Sequence, residues 1–253
     1  MEKPYCTAIV LAGGRGSRMG TDIHKQYLLL AGRPVLFYSL DVFQKSGLID
    51  EIVLVAGDGE EEYCRKNFVE KYHLSKVSRI ISGGRERYHS VWNGLQNTEE
   101  EGYVFIHDGA RPFVDQAMIA RIYKEVQIHK ACAAGMPVKD TVKIVDGDCN
   151  VTDTPDRSTL WAVQTPQVFE CRLVKMAYKM LMRDEERHHV TDDAGVVEEM
   201  LHHPVRLVQG SYENIKITTP DDLVIGEALA RRSVPIPDRT VQLDIFPSSQ
   251  KSS

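Results

Sequence analysis

The chain has 253 residues, 42% of them hydrophobic and 26% charged, a length and balance that suit one large α/β unit or two small ones. A net charge of −5 at pH 7 argues against a nucleic-acid binder but leaves room for a local basic pocket for a small anion. No apolar run has the length of a membrane span, the start Met1-Glu-Lys-Pro-Tyr5 lacks a signal peptide's apolar core, and five scattered cysteines form no Cys-x-x-Cys pair, so a cytoplasmic protein with reduced structural thiols is expected.

In chain order, residues 6–12 form a short β-branched run and residues 34–45 carry apolar positions at helical spacing. Glu51–Ala56 (EIVLVA) reads as a strand, followed by a charged helix over about 60–72. Residues 77–81 and 103–107 are further strands, separated by a helix over about 86–98. Near-continuous apolar strands alternating with helices predict a mostly parallel sheet covered on both faces, with a ligand site along the strands' C-terminal edge. After an apolar stretch at 131–138, residues 141–145 and a polar run to 157 read as a hairpin-like excursion turning at Asp146-Gly147. Its few apolar positions cannot bury themselves alone, which points to packing on another subunit.

The chain returns through a strand at 160–163, a helix over about 173–183, a helix over about 192–202, and strands at 206–208 and 214–218. Thr219-Pro-Asp-Asp222 is a helix start, with Thr as cap, Pro in the first position and carboxylates in the first turn, and the helix runs to about 232. Residues 1–234 are expected to form a single domain, with 139–160 as a β-arm and 235–253 as a Pro/Ser-rich tail.

The segment LAGGRGSRMG at 11–20 ends the first strand and suits a phosphate site, since glycines let backbone N–H groups converge on an anion. A P-loop would end in Gly-Lys-Ser/Thr, where this chain has Gly16-Ser17-Arg18, and the dinucleotide fingerprint would need Gly at Met19. By itself such a loop is equally compatible with a tight turn. Arg15, Arg18 and Lys25 add positive charge close by, as transfer at a phosphorus requires.

Several motifs in register carry a resemblance: the loop with Lys25-Gln-Tyr-Leu, then Gly83-Gly-Arg-Glu-Arg87 with Ser90-Val, His107-Asp-Gly-Ala-Arg111-Pro, Asp140-Thr141, Gln164-Thr-Pro-Gln167 and Asn214-Ile-Lys-Ile-Thr218. Together, from about residue 6 to 231, they resemble the 2-C-methyl-D-erythritol 4-phosphate cytidylyltransferase family. The resemblance implies a Rossmann-like α/β fold, a homodimer built through the protruding β-arm, and Mg²⁺ or another divalent cation as cofactor. Its implied reaction joins CTP to methylerythritol 4-phosphate with release of pyrophosphate, a step of non-mevalonate isoprenoid synthesis.

Carried over by position, Arg18 and Lys25 match the pair that stabilises the transition state, and Arg157 and Lys216 the pair that positions the substrate phosphate. Ala12, Gly13, Gly14, Arg15, Gly16, Gly84 and Ser90 match CTP contacts. Asp108, Arg111, Thr141, Thr165 and Thr191 match the polyol phosphate site. The chain departs from the family pattern at His24, usually Pro, at Gly109, commonly Ala, and at Arg85, acidic in some members. Ribitol-5-phosphate cytidylyltransferase shares much of this pattern, and a nucleotide-binding module without catalysis is a further alternative.

Other residues have competing readings from their local pattern. Lys216 alternates with Ile215 and Ile217, so it faces either solvent or the ligand edge. Asp108 ends a strand, where it either binds Mg²⁺ or a sugar hydroxyl or makes a turn before Pro112, and Mg²⁺ is often held mainly by substrate phosphates. Thr191-Asp192-Asp193 is a helix N-terminus that is also able to receive a phosphate. His188-His189 and His202-His203 lack a third ligand at metal spacing, and Trp92 and Trp161 read as packing residues. No histidine is placed as a general base.

Overall fold

Cys6–Leu11 (β1) is apolar on both faces and forms an interior strand of the sheet. In the computed structural model, which describes residues 3–14, 24–183 and 190–233, the next elements are the two-residue strands Leu29–Leu30 (β2) and Arg33–Pro34 (β3) and the helix Val35–Lys45 (α1). Glu51–Ala56 (β4) leads to a helix whose first turn, Glu61–Cys64 (α2), continues as π-helix over Arg65–Glu70, where a single α-helix was expected. Val77–Ser82 (β5), Arg87–Leu95 (α3) and Tyr103–Asp108 (β6) follow as predicted to within a few residues.

Gln116–His129 (α4) is a further helix, absent from the sequence expectations. Asp115 caps it by accepting the Met118 N–H (2.6 Å), and Met118, Ile119, Ile122 and Val126 are buried along one face. Ala131–Pro137 (β7) precedes the arm. There the expected strand at 141–145 shrinks to Ile144–Val145 (β8), paired with Val151–Asp153 (β9). The turn is longer than a two-residue Asp-Gly hairpin, because Asp146 Oδ1 accepts the N–H groups of both Asp148 (3.0 Å) and Asn150 (2.9 Å) and closes a wider loop. Val142, Ile144, Val145 and Val151 are exposed, so the arm stands off the sheet.

The strand expected at 160–163 extends over Trp161–Glu170 (β10), interrupted by an irregularity between Val163 and Gln167 where Pro166 cannot donate to a ladder. Cys171–Leu181 (α5), Asp193–Leu201 (α6), Arg206–Gln209 (β11) and Pro220–Ser233 (α7) complete the described chain. The expected strand at 214–218 joins no ladder. It is held instead by the buried Asn214 amide and by one bond from the Ile217 N–H to the Ala110 carbonyl (2.8 Å). Thr219 caps α7 as predicted, with Asp222 reaching back to the N–H groups of Thr218 (2.9 Å) and Thr219 (2.8 Å).

The seven-stranded sheet has the order β11-β7-β10-β6-β1-β4-β5, and β10 alone runs against the other strands. Its two faces are separate apolar layers. Cys6, Ala8 and Val10 of β1 pack with Leu40 and Phe43 of α1 and Ile122 of α4, while Ile9 packs with Val91 of α3, Val174 of α5 and Val197 of α6. This is the doubly covered, mostly parallel α/β sheet that the alternation predicted. No helix of the described residues is long and apolar enough to cross a membrane. All five cysteines are free thiols. Burial pushes Cys6, Cys132 and Cys171 up to about 12 and Cys64 up to about 11, as suits packing residues.

Candidate active site

The parallel strands β1, β4, β5 and β6 end along one edge, and their following loops line a cleft of about 1170 Å³. Close backbone approach explains its glycines. A Cβ on Gly83 would stand 3.0 Å from the Ala56 carbonyl oxygen, and one on Gly84 would stand 2.3 Å from His89 Cβ. The Gly84 N–H donates to Ser90 Oγ (2.9 Å), which fixes the loop against the start of α3. Across the cleft, the buried Gln26 amide donates to the carbonyls of Ala12 and Gly14 and ties the first loop to Lys25.

Gly13, Gly14, Lys25, Gly84 and Ser90 all line this cleft, and Ala12 is buried beneath it. Arg15, Gly16 and Arg18 lie outside the described residues, as do the His188-His189 pair and the tail. His24 also lines the cleft, with Nδ1 3.1 Å from Glu60 Oε1 and its ring stacked on Tyr27.

A second cleft of about 540 Å³ contains Arg111, Thr165 and Thr191. Arg87, Asp108 and Lys216 line both clefts and so form the wall where they meet. Asp108 accepts from Arg87 Nε at Oδ1 (3.2 Å) and from Lys216 Nζ at Oδ2 (2.7 Å). Burial alone would raise this carboxyl, but Arg87 and Lys216, with Arg111 beyond them, hold it well below the usual carboxylate range. The alternation of Ile215, Lys216 and Ile217 does send Lys216 to the ligand edge, although no strand forms there.

Behind this wall His107, Thr165 and the Asp108 N–H are paired with one another. Burial lowers His107 to about 4, so its ring is neutral. Its Nε2 faces the Arg111 carbonyl (3.1 Å) and its Nδ1 faces Thr165 Oγ1 (3.1 Å), which also accepts the Asp108 N–H (3.0 Å). A neutral ring with Nε2–H donating and Nδ1 accepting satisfies all three groups. With both nitrogens engaged and the side chain fully buried, His107 is no general base. Arg111 gives one Nη to the Asn214 carbonyl (2.8 Å), and its buried Nε has no acceptor among the described residues.

Part of this construction has no local mark in the sequence. Arg87 lies within the Gly83–Arg87 motif, and its two Nη groups each donate to one oxygen of Asp193 at 2.8 Å. Asp193, read only as a first-turn carboxylate, is fully buried and also accepts the Tyr178 hydroxyl (2.5 Å). Asp192 is the helix cap, accepting the Gly195 N–H (2.9 Å), while Gln167 bridges Asp192 and the Ala194 N–H at 2.8 Å each. An arginine opening one helix and an acid opening another were the available signal, but only the fold puts them together.

Arg157 and Thr141 line neither cleft. Both are exposed on the arm, where Arg157 Nη1 donates to the Lys139 carbonyl (2.8 Å). Asp108 fits poorly as a metal ligand, since each of its oxygens already faces a cation. Among the described residues there is no group of three or more His, Cys, Asp or Glu able to hold a metal ion, the His202-His203 pair included.

The sequence profile of the 2-C-methyl-D-erythritol 4-phosphate cytidylyltransferase family matches residues 6–232. The enzyme of that name from Lachnospira eligens is 49% identical over 220 residues, covering 87% of this chain and 96% of the relative. The one from Caldanaerobacter subterraneus is 45% identical over 227 residues, covering 89% and 99%. Among solved structures, the 4-diphosphocytidyl-2C-methyl-D-erythritol synthase of Anaerococcus prevotii superposes with a TM-score of 0.79 at 31% identity, covering 91% of this chain and 97% of that one. The cytidylyltransferase of Thermus thermophilus gives 0.71 at 30% identity, covering 88% and 98%. With the two clefts meeting at one charged wall and this match along nearly the whole chain, the protein belongs to the 2-C-methyl-D-erythritol 4-phosphate cytidylyltransferase family.

Proposed function

We propose that the protein transfers a cytidylyl group from CTP to 2-C-methyl-D-erythritol 4-phosphate, giving 4-diphosphocytidyl-2-C-methyl-D-erythritol and pyrophosphate. The observation that carries this reading is the pair of clefts sharing the Arg87–Asp108–Lys216 wall. One is glycine-walled and suits a nucleoside triphosphate, and the other brings Arg111 and threonine hydroxyls to a smaller anionic polyol. An oxygen of the polyol phosphate attacks the CTP α-phosphorus in line, a new P–O bond forms, and the bond to the β-phosphate breaks with its electron pair leaving on pyrophosphate. A phosphate dianion is already a nucleophile, so no base is needed.

In this reading Lys25 and Arg18 neutralise charge that grows on the α-phosphoryl oxygens, and Lys216 with Arg157 orients the attacking phosphate. Arg157 and Thr141 would reach the site of a second copy through the arm, whose exposed valines and isoleucine would be covered in a homodimer. Among the described residues no cage for a divalent cation forms, so Mg²⁺ would enter with the triphosphate and supply charge neutralisation there. A cytoplasmic location fits free cysteines that form no disulfide.

The test is purified protein with CTP, Mg²⁺ and one polyol phosphate at a time, read by pyrophosphate release and by the ³¹P spectrum of the product. Turnover with methylerythritol 4-phosphate is expected. Turnover with ribitol 5-phosphate alone would reassign the substrate, and CTP binding without turnover of either would make the protein a nucleotide-binding module.

A further inference from the structure

We infer that Arg87 is a positioning residue of this active site, holding one oxygen of Asp108 so that Asp108 does not capture the whole charge of Lys216. The inference rests on the reading in which Lys216 meets the polyol phosphate. Arg87 opens α3, directly after the glycine loop of the larger cleft, and its guanidinium spans two carboxylates that come from different elements. Both Nη groups are committed to Asp193 in a two-bond fork at 2.8 Å, and Nε is left facing Asp108 Oδ1 at 3.2 Å.

The anchor is fixed independently of the site. Asp193 is fully buried at the first turn of α6, and the Tyr178 hydroxyl of α5 holds its Oδ1. The turn before it is pinned by Gln167 of β10 through Asp192 and Ala194. Arg87 is thus unable to follow Asp108 toward the clefts, and Asp108 is drawn back toward Arg87.

The consequence falls on Lys216. Its ammonium lies 2.7 Å from Asp108 Oδ2. A carboxylate with one cation partner would neutralise that cation, whereas a carboxylate shared with Arg87 leaves net positive charge at the wall. Each oxygen of Asp108 faces a different cation, Arg87 at Oδ1 and Lys216 at Oδ2, so neither takes the whole carboxylate charge. The charge that Lys216 keeps is what an incoming phosphate needs. Removing Arg87, with or without the Asp193 carboxylate, leaves Asp108 with Lys216 as its nearest cation.

Full-length Arg87→Met, Arg87→Lys, Tyr178→Phe and the double variant Arg87→Met/Asp193→Asn test this by steady-state kinetics, varying CTP and methylerythritol 4-phosphate separately, with melting curves alongside. The double variant removes the stranded buried carboxylate, so it keeps the test available if the single variant folds poorly. Arg87→Met and the double variant should raise KM for the polyol phosphate about tenfold or more while KM for CTP stays within about twofold. Arg87→Lys, which keeps a charge without the fork, should recover part of the loss. Tyr178→Phe should lower the melting temperature with little change in either KM. Equal rises in both KM values, or losses that simply follow the melting temperature, would overturn the positioning role while the proposed function stood. A wild-type enzyme that turns over no polyol phosphate would overturn both.

Discussion

The neutral burial of His107 gives stability a pH dependence that can be worked out in advance. His107 is fully buried at the end of β6 and is lowered from 6.5 to about 4. Its folded value lies below its unfolded value, so between pH 6.5 and 4 the unfolded chain binds a proton that the native chain does not. Stability therefore falls as pH falls through that window. Each unit of separation corresponds to ~1.4 kcal/mol, which makes the full loss roughly 3 kcal/mol and the loss at pH 5 about 2 kcal/mol. For a chain of this size the full loss is a fall of about 10 °C in melting temperature.

Asp108 does not confuse the reading. Its folded value is depressed, so its contribution is complete above its unfolded value of 3.8 and is lost only as pH falls below it. The assay is urea unfolding of wild type and His107→Gln at pH 7, 6 and 5. Glutamine keeps a donor for the Arg111 carbonyl and an acceptor for Thr165 but cannot take a proton in this range. The wild-type unfolding free energy should drop with pH and the variant's should drop by roughly 2 kcal/mol less by pH 5. Parallel curves for the two proteins would refute the assignment of this slope to His107.

Lys25→Ala should lower kcat far more than it weakens CTP binding, because its charge matters most as the α-phosphorus becomes crowded; an unchanged kcat with a raised KM for CTP would contradict that role. Arg157→Ala and Lys25→Ala, each inactive alone, should regain about a quarter of wild-type activity when mixed, since half of random dimers would hold one intact shared site. No recovery after verified subunit exchange would sink the shared site. Gly84→Ala places a Cβ 2.3 Å from His89 Cβ and must displace the loop. Its expected result is a rise in KM for CTP of about tenfold with a small change in melting temperature, and normal CTP kinetics would show that the loop yields without consequence.

Much of the sheet was legible because its strands are short, apolar on both faces and separated by helical spacing. Glu51–Ala56 was read to the residue. What failed were segments whose state depends on distant partners. Residues 160–163 mark only the start of β10, whose ladder breaks around Pro166 and resumes at Gln167. Residues 214–218 have a strand's alternation, which does set the direction of Lys216, but their partners are the Asn214 amide and a single Ala110 carbonyl rather than a neighbouring strand. At the site, the position of the first glycine loop and of Asp108 at strand ends points to the cleft they line, while Gly84 and Ser90 were named from the resemblance. Arg87, Asp193 and Tyr178 were not readable as a group, because residues 106 and 15 positions apart have no shared local pattern and meet only when α3, α5 and α6 pack on one face. Arg157 and Thr141 lie exposed on the arm and line neither cleft.

The distribution of thiols has a practical use. Cys6, Cys64, Cys132 and Cys171 are buried, while Cys149 is exposed in the turn that closes β8 and β9, at a left-handed φ of 64°. A maleimide dye added to the native protein thus meets one reactive sulfur, carried at the tip of the arm. The chain comes with a built-in, singly addressed reporter in the turn between β8 and β9. Whatever covers or frees that turn can be followed as a rate of labelling or a change in fluorescence, with no engineered cysteine and none to remove.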